Sequence, residues 1–499
     1  MGTSVSDKAH ILIDPDRVIG TRDPMIFGHF LEHFHRQIYG GVFEPGSPLA
    51  DRRGFRADVI EALKKIRTPV VRWPGGCFAS AYHWKDGVGK RTAVFDKAWR
   101  VEEPNTFGTD EFVEFCRAVG AEPYICTNAG SGTAEEMSDW VEYCNLREAG
   151  PWARMRRENG YPEPHNVRYW SIGNENYGSW EIGAKSAEEW ARYVTEAAKM
   201  MRRPDAEIQL SAASTPLLEW NTKMLEQAGR HLDWISIHQY CVRGTPSYET
   251  CVAAIGRAEK TIGKAEHILG ALDLLGKIRI SFDEWNLRGW HHPSFVAPDP
   301  NLSERDENDV NSTYTMADAV FTGAFLNTCL RHCRTVGMAN FSPVVNTRGA
   351  IFTHSEGIVL RSTYHVFDLY ANHTSAEVLD TLVRTPTYSV THDGGETVDV
   401  PIIDAVATLD RDRGRLDVTI VNSHEDRPAD CEIELRGARA EGEATLRTVC
   451  GDSADSYNDI DRPEDVRLVS QTLRVQPERF TVSLPPHSVS ALELTAGRR

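Results

Sequence analysis

The sequence has no apolar run long enough to span a bilayer, and its first twenty residues, MGTSVSDKAHILIDPDRVIG, lack the apolar core of a secretion signal. A cytoplasmic protein with no membrane partner is expected. Positive charge is also scarce: 55 Lys and Arg against 72 Asp and Glu leave a net charge of −17. Binding to nucleic acid needs a positive field, so that class of partner is excluded, whereas a neutral substrate is compatible. The ten cysteines include no C-x-x-C pair, and several, such as Cys116 and Cys126, fall on apolar faces. Reduced core thiols are therefore expected rather than a disulfide framework. There is no Gly-rich phosphate loop and no internal repeat.

What is present is alternation. Between about residues 20 and 370, eight short apolar runs read as strands: 25–33, 69–76, 122–128, 167–175, 208–214, 234–240, 278–286 and 336–345. Helical patterns lie between them, such as ADVIEALKKIR, with Val59, Ile60, Leu63 and Ile66 on one face. Eight such units predict a closed (β/α)8 TIM barrel of the α/β class over residues 21–374. From residue 375 to 499 the helical patterns stop, and alternating strands with frequent turns predict a C-terminal antiparallel β-sandwich domain. Residues 1–20 contain a strand, HILIDPDRVIG, expected to pair into that second domain. The polar, Pro-rich segment 291–311 follows the seventh strand and is expected to be a long loop over the barrel mouth.

Two strands end alike. YWSIGNENYG delivers Asn174 and Glu175 after a glycine, and IRISFDEWN ends in Asp283, Glu284, Trp285 and Asn286. Barrel sites form at the C-terminal ends of strands, so the two glutamates should face each other across the mouth. Paired carboxylates suit glycosidic hydrolysis. One protonates the leaving oxygen, while the other attacks the anomeric carbon or activates water. His238 and Tyr240 end the sixth strand and point the same way, and Trp73, Tyr240 and Trp285 offer flat faces for a sugar. A metal hydrolase using His29, His33 and His35 is the competing reading. Its i, i+4 spacing suits a helix, whereas this segment reads as a strand end, so no metal and no cofactor is expected.

The stretches FGHFLEHFHRQIYGGVFEPGS, VRWPGGCFASAYHWKDGVG, YWSIGNENYGSWEIG, ISIHQY and ISFDEWN, in that order, resemble the α-L-arabinofuranosidases of glycoside hydrolase family 51. The resemblance implies a retaining, exo-acting enzyme with Glu175 as acid/base and Glu284 as nucleophile. It further implies that Glu32, Cys77 and Asn174 hold sugar hydroxyls, that Tyr240 bonds the nucleophile and that Trp99 walls the pocket. A homo-oligomer, a hexamer, is implied as well, with a neutral arabinose-containing oligosaccharide as substrate. A β-xylosidase, galactofuranosidase or β-glucanase on the same scaffold is the alternative. Two departures bear on specificity. After DEWN the chain has LRGW, so Arg288 is expected at the mouth as a donor to hydroxyls, and Pro343 stands where the family often has a glutamine.

Overall fold

The computed structural model describes residues 8–215, 217–291, 305–391, 395 and 397–498. Eight strands close into a barrel in chain order: Gly28–Phe30, Val70–Trp73, Glu122–Thr127, Tyr169–Ile172, Gln209–Ala213, Trp234–Val242, Arg279–Arg288 and Val336–Phe341. Every neighbouring pair is parallel, including the closing pair between the eighth strand and the first. All eight expected strands are present.

Their lengths differ from expectation for local reasons. The first strand is only three residues, because Pro24–Phe27 forms a 3-10 turn capped by the Asp23 side chain on Met25 N. Proline at the start of that turn lacks the N–H a strand ladder would use. The helices follow their patterns: Ala57–Lys65 buries Val59, Ile60 and Leu63, and Thr109–Val119 stops at Gly120, whose φ of 89° suits glycine.

The second unit is one continuous sheet of nine strands, mostly antiparallel, rather than two separate layers. Ala438–Cys450, second from one end of the order, and Arg479–Leu484, at the other end, feed Leu446, Phe480 and Val482 into one shared core. The sheet therefore curls around its own apolar face, which does the work of a sandwich. Lys8–Thr21 runs through its middle, antiparallel to Glu377–Arg384 and parallel to Ala429–Leu435. Helix Met316–Arg331 lies between barrel and sheet and is buried on all sides. That is why it carries no polar face.

Candidate active site

The fourth strand ends at Ile172, and the chain then turns sharply at Gly173 (φ 70°) and Glu175 (φ 45°). A Cβ on Gly173 would lie 2.1 Å from Asn176 Oδ1 and 2.6 Å from the Trp190 ring, so only glycine fits there. A left-handed glutamate is an uncommon conformation, of the kind concentrated at functional sites. The turn brings Asn174 and Glu175 to the C-terminal rim of the barrel.

Glu284 arrives from the seventh strand. Regular alternation would put Asp283 and Glu284 on opposite faces, but the pairing with the sixth strand shifts register between Ser281 and Glu284. Both carboxylates consequently reach the same histidine. His238 Nδ1 lies 3.0 Å from Glu175 Oε1 and 3.5 Å from Glu284 Oε2, while its Nε2 lies 3.2 Å from Asp283 Oδ1. Burial alone would make His238 shed its proton, but the charge of Glu284 and its hydrogen bonds to Asp283 and Glu175 outweigh that and hold its pKa at about 10. Burial would likewise raise Glu175, yet the hydrogen bond and charge of His238, with Trp180 Nε1 donating at 2.8 Å, draw it below the usual carboxylate range.

Two further groups fix Glu284. Tyr240 donates to Oε1 at 2.7 Å and meets Ser342 Oγ at 2.8 Å. Arg72 donates to Oε2 at 2.9 Å and to Asn174 Oδ1 at 2.8 Å, with Asp283 Oδ2 3.5 Å from its Nε. Arg72 is fully buried and ties three strand ends together. On the opposite side, Glu32 Oε1 accepts from Phe78 N at 3.0 Å and Trp99 Nε1 at 3.2 Å. Burial, and then the charge of Glu284, push Glu32 well above the carboxylate range. Gly76 passes between them: a Cβ there would stand 3.2 Å from Glu284 and 3.6 Å from Glu32. Cys77 Sγ and carboxylate oxygens of Glu175 and Glu181 lie within 4.8 Å of one another.

The expected residues Glu32, Cys77, Trp99, Asn174, Glu175, His238, Tyr240 and Glu284 are thus brought together. Others are not. Trp73 and Trp285 turn away from the mouth, Trp73 stacking on Phe112 and Trp285 on Phe325, so neither offers a face to a sugar. Arg288 is buried and gives Nε and a terminal nitrogen to Asp318 at 2.8 and 2.9 Å, so its guanidinium is committed to a helix rather than to hydroxyls at the mouth. The aromatic after DEWN is Trp290, whose ring lies 6.3 Å from both Trp99 and Tyr240. His29, His33 and His35 do not converge: His29 packs on Phe367, His33 bonds Glu103 and His35 faces Asp309. Residues 292–304 of the loop expected over the mouth lie outside the described residues; at its described end, Arg305 donates to the Trp99 carbonyl.

Sequence reasoning passed over Arg72, Asp283 as a partner of His238, Trp180 and Glu181. Arg72 carried a signal, since an arginine inside the apolar run PVVRW must find a buried anion.

Family models described as Alpha-L-arabinofuranosidase 1 domain and Alpha-L-arabinofuranosidase C-terminal domain match residues 62–250 and 283–488. Alpha-L-arabinofuranosidase C of Emericella nidulans is 35% identical, with 97% of each chain covered. The intracellular exo-alpha-(1->5)-L-arabinofuranosidase 1 of Bacillus subtilis is 32% identical over 86% of this chain and 87% of that one. The solved family 51 α-L-arabinofuranosidase of Thermotoga petrophila superposes with a TM-score of 0.89 at 36% identity, covering 97% of this chain and 99% of that one. A barrel closed in the same order, a rim that gathers two glutamates around one histidine, and this likeness along nearly the whole chain lead to one placement: the protein is a glycoside hydrolase and belongs to the α-L-arabinofuranosidases of glycoside hydrolase family 51.

Proposed function

We propose that the protein is a retaining, exo-acting α-L-arabinofuranosidase that releases terminal arabinofuranosyl units from neutral oligosaccharides by double displacement. One observation carries the reading: carboxylate oxygens of Glu175 and Glu284 lie within 4.8 Å of each other. Retaining enzymes hold their carboxyl groups about 5 Å apart, and inverting ones need a wider gap to admit a water. Glu284 is the nucleophile, oriented by Tyr240 on one oxygen and Arg72 on the other. Glu175 protonates the departing oxygen and later takes a proton from the incoming water. In the resting site its proton is shared with His238, across a 3.0 Å contact. As negative charge grows on the leaving oxygen, the pair delivers that proton through Glu175.

Glu32, Cys77 and Asn174 bind the sugar hydroxyls, while Trp99 and Trp290 close one side in the manner of a pocket for a single terminal unit. Glu175, Glu284 and His238 supply the proton transfers and the nucleophile, so no metal or cofactor enters. The site is cytoplasmic by analogy with the relative named intracellular, and among the described residues no helix is long and apolar enough to cross a membrane. Assembly into a homo-oligomer, a hexamer, rests on the family resemblance.

The test is a pair of alanine variants on a panel of aryl arabinofuranosides, xylosides, galactofuranosides and glucosides beside arabino-oligosaccharides. Glu284→Ala should be inactive on all of them. Glu175→Ala should lose far more activity on oligosaccharides than on aryl arabinofuranosides with good leaving groups, and azide should restore it, giving an arabinofuranosyl azide that keeps the substrate's anomeric configuration. Equal losses of Glu175→Ala on both substrate types, or a wild-type preference for a pyranoside, would overturn the assignment.

A further inference from the structure

Glu181 lies in the turn that follows Glu175, held by Gly178 N on the Glu175 carbonyl at 2.7 Å and by Glu181 N on the Gly178 carbonyl at 3.0 Å. These bonds fold the chain back, so that the Glu181 carboxyl is buried beneath Asn174. Its Oε2 accepts from Asn174 Nδ2 at 3.2 Å, and its Oε1 is buried. Ser80 and Cys77, both on the Cys77–Ala81 turn, are further hydrogen-bonding neighbours of the Glu181 carboxyl. Asn174 is therefore gripped at both ends. Arg72 donates to its oxygen and Glu181 accepts from its nitrogen, which leaves one N–H with a fixed direction for a ligand.

The second property of Glu181 is charge. One of its oxygens lies within 4.8 Å of both a Glu175 oxygen and Cys77 Sγ. The titratable groups that face it are Glu175 from its own segment and Cys77 from the turn after the second strand. Beyond them stand Arg72 across Asn174, Glu32 across Cys77, and His238 and Tyr177 around Glu175. Burial first, with the Glu175 charge adding to it, keeps Glu181 protonated up to about pH 7.

We propose that Glu181 is a positioning residue of this glycosidase, aligning Asn174 toward the sugar and, when ionised, helping the Glu175–His238 pair to retain the proton it shares. The proposal rests on the roles given above to Asn174 and Glu175. The sign follows from like charges. Below about pH 7 Glu181 is neutral and leaves Glu175 to His238 and Trp180. Above that pH its negative charge opposes loss of the proton that Glu175 shares with His238, so the acid/base stays competent further into the alkaline range.

The experiment compares wild type, Glu181→Gln and Glu181→Leu as full-length proteins, measuring kcat and KM against pH. An arabino-oligosaccharide that needs acid assistance is set beside an aryl arabinofuranoside that does not. Glu181→Gln keeps an acceptor for Asn174 but removes the charge. Its KM for the oligosaccharide at pH 6 should stay within about threefold of wild type, while the alkaline limb of kcat/KM moves down by roughly one pH unit. The limb for the aryl substrate should not move. Glu181→Leu removes the acceptor as well and should raise KM on both substrates by about tenfold. Superimposed wild-type and Glu181→Gln profiles, equal shifts of the limb on both substrates, or an unchanged KM in Glu181→Leu would each overturn the proposal. Should the leucine variant fail to fold, the glutamine profile alone decides. Failure of the underlying reading is separate, since it would appear as equal losses in Glu175→Ala whatever Glu181 does.

Discussion

Tyr240→Phe removes a single oxygen from the site. The tyrosine hydroxyl donates to Glu284 Oε1 at 2.7 Å, and its ring stays packed beside Trp290 when the oxygen is gone. A hydrogen bond to a charged group is worth about 1.5–3 kcal/mol, which corresponds to a rate factor of roughly 10 to 150. The loss should fall unevenly between the two chemical steps. In the first step Glu284 gives up its negative charge to form the glycosyl ester, so the bond from Tyr240 weakens as the step proceeds. In the second step the carboxylate is reborn as the leaving group, and the same bond strengthens toward the transition state. Tyr240→Phe should therefore slow breakdown of the intermediate more than its formation. With an activated aryl arabinofuranoside, kcat should fall by roughly 10- to 150-fold and KM should fall with it, leaving kcat/KM within about tenfold of wild type. A pre-steady-state burst of phenol, stoichiometric with enzyme, should be visible by stopped flow. If kcat/KM falls as far as kcat and no burst develops, formation of the intermediate is the step that has slowed and this reasoning is refuted.

Two further outcomes concern groups outside the pocket. Arg288→Met should strip a buried partner from Asp318, which also accepts from Thr315 N at the start of its helix, and so cost about 3–5 kcal/mol of stability, read as a lowered thermal midpoint. Activity of that variant on aryl arabinofuranosides should stay within about threefold of wild type; a larger loss in a well-folded variant would return Arg288 to the substrate. On the barrel's outer face, His332 is held up at about 9 by Glu259 and Glu266 against the effect of burial, while Glu259 is drawn down to about 2, chiefly by its hydrogen bond to His332. A raised histidine stabilises fully below its unfolded pKa of about 6.5 and loses that contribution as pH climbs through 9; a depressed glutamate stabilises above about 4.5 and loses it as pH falls through 2. His332→Gln should thus lower the thermal midpoint most between about pH 4.5 and 6.5 and least above pH 9, and a pH-independent loss would contradict the ion-pair origin.

The barrel was legible because each strand is a short apolar run closed by glycine or by polar residues, a pattern that survives without knowledge of neighbours. Glu175 and Glu284 were legible for the same reason, as charges at strand ends. Arg72 was harder, since its partners Asn174 and Glu284 lie on other strands, far away in the chain. Once Arg72 is placed inside the barrel, however, the two-residue period of a strand sends Trp73 outward, and Glu284 does the same to Trp285. Recognising the inward charge would have removed both tryptophans from the sugar site. Arg288 was misjudged because Asp318, its partner, sits on a helix beyond the loop, and nothing local marks the pair. The antiparallel sandwich was legible, but its closure as one curled sheet was not, because alternation shows which residues face inward but not which strands share hydrogen bonds.

The strand Lys8–Thr21 is made before the barrel, yet its neighbours in the sheet, Glu377–Arg384 and Ala429–Leu435, emerge only after the whole barrel. On the ribosome it therefore waits, with Ile11 and Ile13 exposed, until Val383 and Ile433 arrive to cover its flanks. Trimming it would not shorten an edge but would cut the sheet into two pieces, one of them the pair Ala429–Leu435 and Arg479–Leu484. The two units described above are thus sewn together by their own first thread, and a barrel released from its sheet would carry a loose hydrophobic end that invites another chain to take the missing place.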